Sequence, residues 1–576
     1  MTTGGSDHAG LRARVPGWRG PSVLGGVLLI VVAAGLLAVA AGVLVPSTPV
    51  AGPAPHFMDE TVAAGVAFTY DGPFEFATGA GVAVLDCDED GRPDVYLAGG
   101  ANPAALYRNA SAPSALHFER VADPATDLTG VNGAYPIDLD SDGHPDLVVL
   151  RSGENVVLRG LGDCRFERAD EGWGIASGNE STQAFAATWE PDQSWPTLAF
   201  GNYVDFTSHD PGTWCQANEL VRPRPPIRPP PIGSDPPLRL PYSPPIPLRP
   251  SWCTLSMLFS DWDGSGRRDL RVSNDLHYYP AATGEEQLWK IEPGNPPHLY
   301  TAAEGWNRVQ IQGMGIASYD LDGDGLPEVY LTSQSANKLQ TLGAGPSKPT
   351  YVDIGLKHGV NVAHPFAGDV NLPSTAWHPE FADINDDGWI DLFVSKGNVT
   401  SQPDFAIRDP SNLLLGQPDG TFREAAELAG IVDFERGRGA ALVDLDLDGR
   451  LDLVESFYGA PVRVWRNEGP ADATAAASAH WLALRVAQPA PNVDAIGAWL
   501  EVRSGARTWR RELVVGGGHA GGQLGWVHLG LGPATSVEVR VTWPDGEVGP
   551  WQPVAVDAFA IVSRSAGTVQ PWTPVP

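Results

Sequence analysis

Six short segments of the chain hold acids at one fixed spacing. Each reads Asp-x-(Asp/Asn)-x-(Asp/Ser)-Gly-x-x-(Asp/Glu), beginning at Asp86, Asp138, Asp261, Asp320, Asp383 and Asp444. Side chains at positions 1, 3, 5 and 9 of a tight loop converge, glycine at position 6 permits the sharp turn, and the carbonyl at position 7 adds an oxygen. Hard oxygen donors in that number suit Ca²⁺, up to six ions in all. The expected ligand sets are Asp86, Asp88, Asp90, Asp94 with the Arg92 carbonyl, and Asp138, Asp140, Asp142, Asp146 with that of His144. Next come Asp261, Asp263, Ser265, Asp269 with Arg267, and Asp320, Asp322, Asp324, Glu328 with Leu326. The last two are Asp383, Asn385, Asp387, Asp391 with Trp389, and Asp444, Asp446, Asp448, Asp452 with Arg450. A helix-loop-helix calcium hand would need a bidentate Glu at position 12, where five of the six loops carry Leu97, Val149, Val272, Leu331 and Val394. Plain polar turns would not explain such clustering, because bare carboxylates this close repel one another.

A short apolar stretch enters each loop and an alternating or β-branched one leaves it, which reads as strand, loop, strand. A degenerate copy at 184–203 keeps the flanking stretches, with Glu190 and Asp192 as its first acids, but lacks the glycine and last carboxylate; no ion is expected there. The first acids thus fall at 86, 138, 190, 261, 320, 383 and 444. Seven units of this length each accommodate a four-stranded blade. Third strands are expected at 106–109, 288–290, 413–415 and 464–467, and fourth strands from Phe118, Phe166, Tyr300, Tyr351 and Phe422. The unit at 444 lacks a fourth strand, whereas 57–66 is a fourth-strand sequence with no blade before it, so the two ends of the ring should pair and leave no open edge. The fold expected is all-β: a seven-bladed β-propeller over 57–470, one blade having a degenerate loop, and then a small β-domain over 480–565.

With 66 Gly and 53 Pro in 576 residues, the chain is a poor helix former. A formal charge of -31 disfavours nucleic acid and favours bound cations. Residues 23–45 form an uncharged apolar run long enough to cross a bilayer. Arg12, Arg14 and Arg19 precede it, so 1–22 is expected in the cytoplasm and everything after the 46–56 linker outside. The run is read as a single-pass transmembrane signal-anchor, with a cleaved export signal as the alternative; both place the rest of the chain where disulfides persist. The Pro-rich stretch 222–250 should be a surface excursion of extended backbone. Cys215 and Cys253 bracket it and are expected to pair, leaving Cys87 and Cys164 to form a second bridge or stay free.

Beyond a linker at 469–479, strand signals recur at 481–486, 498–503, 510–515, 526–531 and 537–543, and GGGHAGG (516–522) marks a loop of unusual backbone freedom. The acidic loops with their GAG, GMG and GRG lead-ins resemble the FG-GAP/VCBS repeats of integrin-type β-propellers. The segments NVDAIGAWLEV (492–502), GGGHAGGQ (516–523), LGLG (529–532) and VTWPDG (541–546) resemble the ASPIC/UnbV domain. That combination is similar to the cartilage acidic protein family. The resemblance implies a seven-bladed propeller with calcium in the blade hairpins and implies no established reaction.

No HExxH, GxSxG, GxxxxGK(S/T) or CxxC spacing occurs. His364, His378 and His519 are read as surface or hydrogen-bonded residues, and no catalytic residue is assigned. Asn109, Asn179 and Asn398 stand in glycosylation sequons, which chance explains in a chain this long. The expected function is an extracytoplasmic binding or adhesion module for a protein or carbohydrate ligand, with calcium in a structural role. The alternatives are a propeller hydrolase or lyase acting on polysaccharide and, from the family name alone, an accessory protein of a secondary-metabolite pathway.

Overall fold

A computed structural model describes residues 51–175, 178–208, 214–224, 240–275, 284–470 and 479–574. The expected cytoplasmic segment 1–22, the apolar run 23–45 and half of the Pro-rich stretch lie outside these. Among the described residues no helix is long and apolar enough to cross a membrane.

The acidic repeats fold as seven four-stranded antiparallel sheets in chain order. The first comprises Val82–Leu85, Asp94–Leu97, Ala105–Asn109 and Phe118–Val121, so the Asp86 loop joins its first two strands. The other acidic loops occupy the same hairpin of their sheets, as in Gly313–Tyr319 and Glu328–Ser333 around Asp320. The degenerate copy makes the third sheet, whose fourth strand, Ile246–Leu248, lies inside the Pro-rich stretch 222–250; that end of the stretch is thus a paired strand with Leu248 buried, not the surface excursion expected. In the fourth sheet the last strand is His298–Leu299, two residues ahead of the expected start at Tyr300.

The first strand of every sheet neighbours the first strand of the next, and Gly437–Val443 of the seventh returns to Val82–Leu85 of the first. The ring is closed by Pro55–Asp59, which pairs antiparallel with Ala460–Pro470 as the outermost strand of the last sheet. Apolar side chains fill the space between successive sheets. Val95 and Tyr107 of the first pack with Val454 and Val464 of the seventh, and Phe393 and Leu413 of the sixth pack with Leu453 and Trp465. This organisation is propeller-type.

Residues from His480 onward form two further four-stranded sheets around a core that includes Leu484, Leu500, Val539 and Val562. Their strands run on to Thr568–Trp572, past the expected limit at 565. The expected strand 510–515 is shifted: Arg507–Glu512 pairs with Trp499–Ser504 across the turn at Gly505, and Val515 instead bridges to Ala187 of the ring. Two disulfides are present, Cys87–Cys164 and Cys215–Cys253.

Candidate metal centres beneath the C-terminal domain

The loops share one hydrogen-bond plan. The position-6 glycine N–H donates to the position-1 carboxylate in all six: Gly91 to Asp86 (3.0 Å), Gly143 to Asp138 (2.8 Å), Gly266 to Asp261 (2.9 Å), Gly325 to Asp320 (3.0 Å), Gly388 to Asp383 (2.7 Å) and Gly449 to Asp444 (2.8 Å). The position-9 acid receives the position-2 N–H, as Asp94 does from Cys87 (2.7 Å) and Asp452 from Leu445 (3.0 Å). Its other oxygen receives an N–H at the end of the third strand, such as Asn109 to Asp94 (2.7 Å) and Asn467 to Asp452 (2.8 Å). The N–H of position 7 closes the loop onto position 5, as Arg92 does on Asp90 and Leu326 on Asp324, both at 2.8 Å. Acid and turn are therefore built together, each carboxylate being held by the backbone of its own hairpin.

Four loops bring three carboxylate oxygens within 4.8 Å of one another: Asp86, Asp88, Asp90; Asp138, Asp140, Asp146; Asp320, Asp322, Glu328; and Asp444, Asp446, Asp452. These clusters could hold metal ions. Burial, joined by mutual repulsion, pushes their carboxyls up: Asp138 to about 7, Asp320 to about 6, Glu328 to about 7, and Asp94, Asp146, Asp444 and Asp452 well above the carboxylate range. Oδ1 of Asp86 and Oδ1 of Asp446 are buried without a hydrogen-bond partner. All-oxygen donors of this kind fit a hard divalent cation. Cys87 and Cys164 lie beside Asp94 but are bonded to each other, so they offer no thiolate.

The other two intact loops are arranged differently. In the loop at Asp261 the Arg267 guanidinium donates to Asp269 (3.0 and 3.2 Å) and reaches Asp263 (3.4 Å), while the Trp262 indole and the Tyr300 hydroxyl also donate to Asp269 (2.8 and 2.9 Å). Guanidinium groups also meet acids of the cluster loops, as Arg92 does Asp90 (2.8 Å) and Arg159 does Asp140 (2.7 Å), but among the described loops Arg267 alone covers the position-9 acid that was expected to share an ion. In the loop at Asp383, Asp387 Oδ2 accepts from the Gly52 N–H (2.5 Å) and from the Asn385 Nδ2 (3.1 Å), and Asn385 Oδ1 accepts from the Asp387 N–H (3.3 Å). The degenerate loop follows the Asp261 pattern, with Glu190 accepting from Arg222 and Thr197, both at 2.6 Å. Of the sequon residues, Asn109 and Asn398 are buried and Asn179 is exposed.

The C-terminal domain sits on this acidic rim and touches every intact loop. Arg485 pairs with Asp86 (2.7 Å), the Asn492 N–H donates to Ser141 (3.0 Å), and Glu512 accepts from the Asp261 N–H (3.0 Å). Arg510 lies 3.8 Å from Asp320, His528 2.7 Å from Asp386, and Trp481 packs over Gly449.

From the same domain, Val515–Gln523 enters the ring. Val515, Gly516, Gly518, Gly521 and Gln523 bridge to Ala187, Leu258, Ile316, Ala134 and Val84, residues on the first strands of five sheets. A segment that touches the inner strands of five sheets in a ring of seven fills its middle. The approach is close enough to exclude side chains: a Cβ on Gly521 would meet the Val82 carbonyl at 2.1 Å, and one on Gly81 the Ala520 carbonyl at 1.8 Å. At the tip, His519 is fully buried, 5.1 Å from the Trp377 ring, with its nitrogens facing the carbonyls of Thr78 (2.7 Å) and Met314 (3.3 Å). Burial lowers its pKa to about 4. The glycine run was the sequence signal for this plug, but it reads equally well as a free loop.

Ring, acidic hairpins and capping domain together define a propeller-type repeat protein with a second β-domain. A family model described as FG-GAP-like repeat matches residues 86–149 and 383–455, and one described as ASPIC and UnbV matches 488–569. The chain thus carries segments that match FG-GAP-like repeats, followed by one that matches the ASPIC and UnbV domain. It is distantly similar to Cartilage acidic protein 1 of Xenopus tropicalis, 24% identical over 215 residues, which is 36% of this chain and 31% of that protein. The same protein from Homo sapiens is 24% identical over 216 residues, 36% of this chain and 30% of that one. Among solved structures, the BP39L lectin from Burkholderia pseudomallei aligns over 68% of this chain and 97% of its own, at 11% identity and a TM-score of 0.41.

Proposed function

We propose that the chain is an extracytoplasmic, seven-bladed, calcium-stabilised propeller that serves as a binding or adhesion module for a protein or glycan ligand. The apolar run 23–45 would hold it to the membrane, or be cleaved on export. Calcium is assigned to the loops at Asp86, Asp138, Asp320 and Asp444, where three carboxylates converge, and its role there is structural. Arg267 takes the ion's place in the loop at Asp261.

The observation that carries a binding reading over a hydrolytic one is the plug. Propeller enzymes gather their groups around the central channel, and here Val515–Gln523 occupies that space, with His519 held between two carbonyls. Ligand contact then falls to the outer surfaces of the ring and the capping domain. The test is a glycan-array and protein pull-down with the calcium-loaded chain, run beside a reducing-end assay on a polysaccharide panel. Retention without turnover supports the reading; released reducing ends would replace it with the hydrolase or lyase.

A further inference from the structure

Between the capping domain and the rims of the first two sheets lies a cavity of about 390 Å³, and two smaller spaces of about 130 and 30 Å³ share part of its wall. Arg511 borders all three. Its neighbours on the same strand are engaged, Arg510 with Glu501 (3.3 Å) and Glu512 with Ser260 (2.8 Å). The Arg511 guanidinium itself makes no hydrogen bond and no ion pair among the described residues. A half-buried guanidinium without a partner is costly, and a ligand anion removes that cost. On the wall of the same cavity is Asp494, whose carboxylate also makes no hydrogen bond among the described residues. Leu513, Leu524, Val486 and Ile561 supply apolar wall between these charges. The volume is that of an ordinary small-molecule site, placed where two domains meet.

The lining selects among ligand classes. A sugar would seek an open aromatic face, but the Trp526 ring is covered by Arg485 at 4.6 Å. A phosphate or other multiply charged anion would face Asp494 and Glu512 at close range. A ligand with one charge of each sign pairs with Arg511 and gives Asp494, which the Arg485 charge acts on without a hydrogen bond, a donor. We propose that this cavity binds a small zwitterion, an amino acid or dipeptide with an apolar side chain, whose carboxylate pairs with Arg511 and whose ammonium pairs with Asp494. This site lies apart from the outer surfaces assigned to a macromolecular ligand and does not depend on that reading.

The test is titration calorimetry on the full calcium-loaded chain with L-leucine and with the dipeptide Leu-Leu, beside 4-methylpentanoate and isoamylamine, which keep the apolar body and one charge each. Leucine or Leu-Leu should bind saturably, with each single-charge analogue about tenfold weaker or worse. Arg511→Gln and Asp494→Asn should each weaken the zwitterion by about tenfold or more, while Asp494→Asn leaves 4-methylpentanoate unchanged. Three results would overturn the proposal: no saturable binding of either zwitterion, 4-methylpentanoate binding as tightly as leucine, or both variants retaining wild-type affinity. Melting curves in calcium show whether each variant is folded, and if one is not, the analogue series on the wild-type chain decides alone.

Discussion

Acidification should loosen the plug at one identifiable side chain. His519 is the only titratable group on the segment inside the ring, and two influences on it oppose each other. The carbonyls of Met314 and Thr78 would accept from an imidazolium and so favour the proton. Full burial disfavours it, helped by Arg438 and His378 nearby, and burial wins, giving a pKa of about 4 against 6.5 for a free imidazole. Below pH 6.5 the unfolded chain takes up a proton that the folded chain refuses, so stability falls as pH drops and levels off below about 4. The gap from 6.5 to about 4 corresponds to about 3 kcal/mol in total, of which about 2 is lost between pH 7.5 and 5. The acidic loops titrate over the same range, so the measurement is a difference: urea unfolding of wild type and His519→Asn in excess calcium at a series of pH values. The variant will be less stable at neutral pH, because it loses the stack on Trp377, but that deficit should shrink by about 2 kcal/mol on going to pH 5. A deficit that stays constant, or an imidazole resonance titrating at or above 6.5, would refute burial as the dominant influence.

Three further outcomes are expected. Calorimetry should count four calcium ions, with Asp86→Asn and Asp444→Asn each removing one, Asp261→Asn removing none and Arg267→Ser adding one. At Kd of roughly 10⁻⁴ to 10⁻³ M, ~1 mM calcium contributes about 0.4–1.4 kcal/mol per site, so chelation should cost about 2–6 kcal/mol over four sites in a denaturant melt. Arg222→Ala strands the buried Glu190 carboxylate and should cost about 3 kcal/mol, most of it recovered in the double variant Glu190→Gln/Arg222→Met, read by the same melts. Gly521→Val drives a side chain into the Val82 carbonyl and should unseat the plug, seen as faster amide exchange over 513–523 while the two sheets of the capping domain stay protected.

The ring was legible because its signals are local and repeated. An apolar run, nine loop residues and a second apolar run make a hairpin without help from elsewhere, and seven such hairpins fix the count of sheets. Even the closure of the ring by Pro55–Asp59 could be read, since one unit lacked a strand and one strand lacked a unit. In the fourth sheet the last strand ends at Leu299; Tyr300 still donates its N–H to Leu288 (2.9 Å), while its hydroxyl is committed to Asp269, thirty-one positions away. Long-range choices of this kind are invisible in spacing. Arg267 occupies the position expected to offer only a backbone carbonyl, and nothing in the motif says that its side chain folds back over the acids. The plug was hidden for the same reason. Glycine permits an open loop and a tight fit equally, and only the facing glycines of the ring, such as Gly81, distinguish the two.

The seating of the capping domain follows from the charge of the rim. Hairpins that gather three or four carboxylates make one end of the ring strongly negative, and a partner for that end must bring cations, hydrogen-bond donors or both. The C-terminal domain brings Arg485 to Asp86, Arg510 towards Asp320, and the Trp526 and Trp509 indoles to the carbonyls of Gly91 (2.9 Å) and Gly388 (3.0 Å). The donors reach the outer oxygens and carbonyls of the loops, while the position-9 acids stay turned inward to their own sheets. Docking and cation binding therefore draw on the same negative charge from opposite sides. Asp86 belongs both to a three-carboxylate cluster and to the ion pair with Arg485. An ion bound at that cluster would share Asp86 with Arg485, so occupancy of the loop and the hold of the domain whose glycine segment fills the ring should change together.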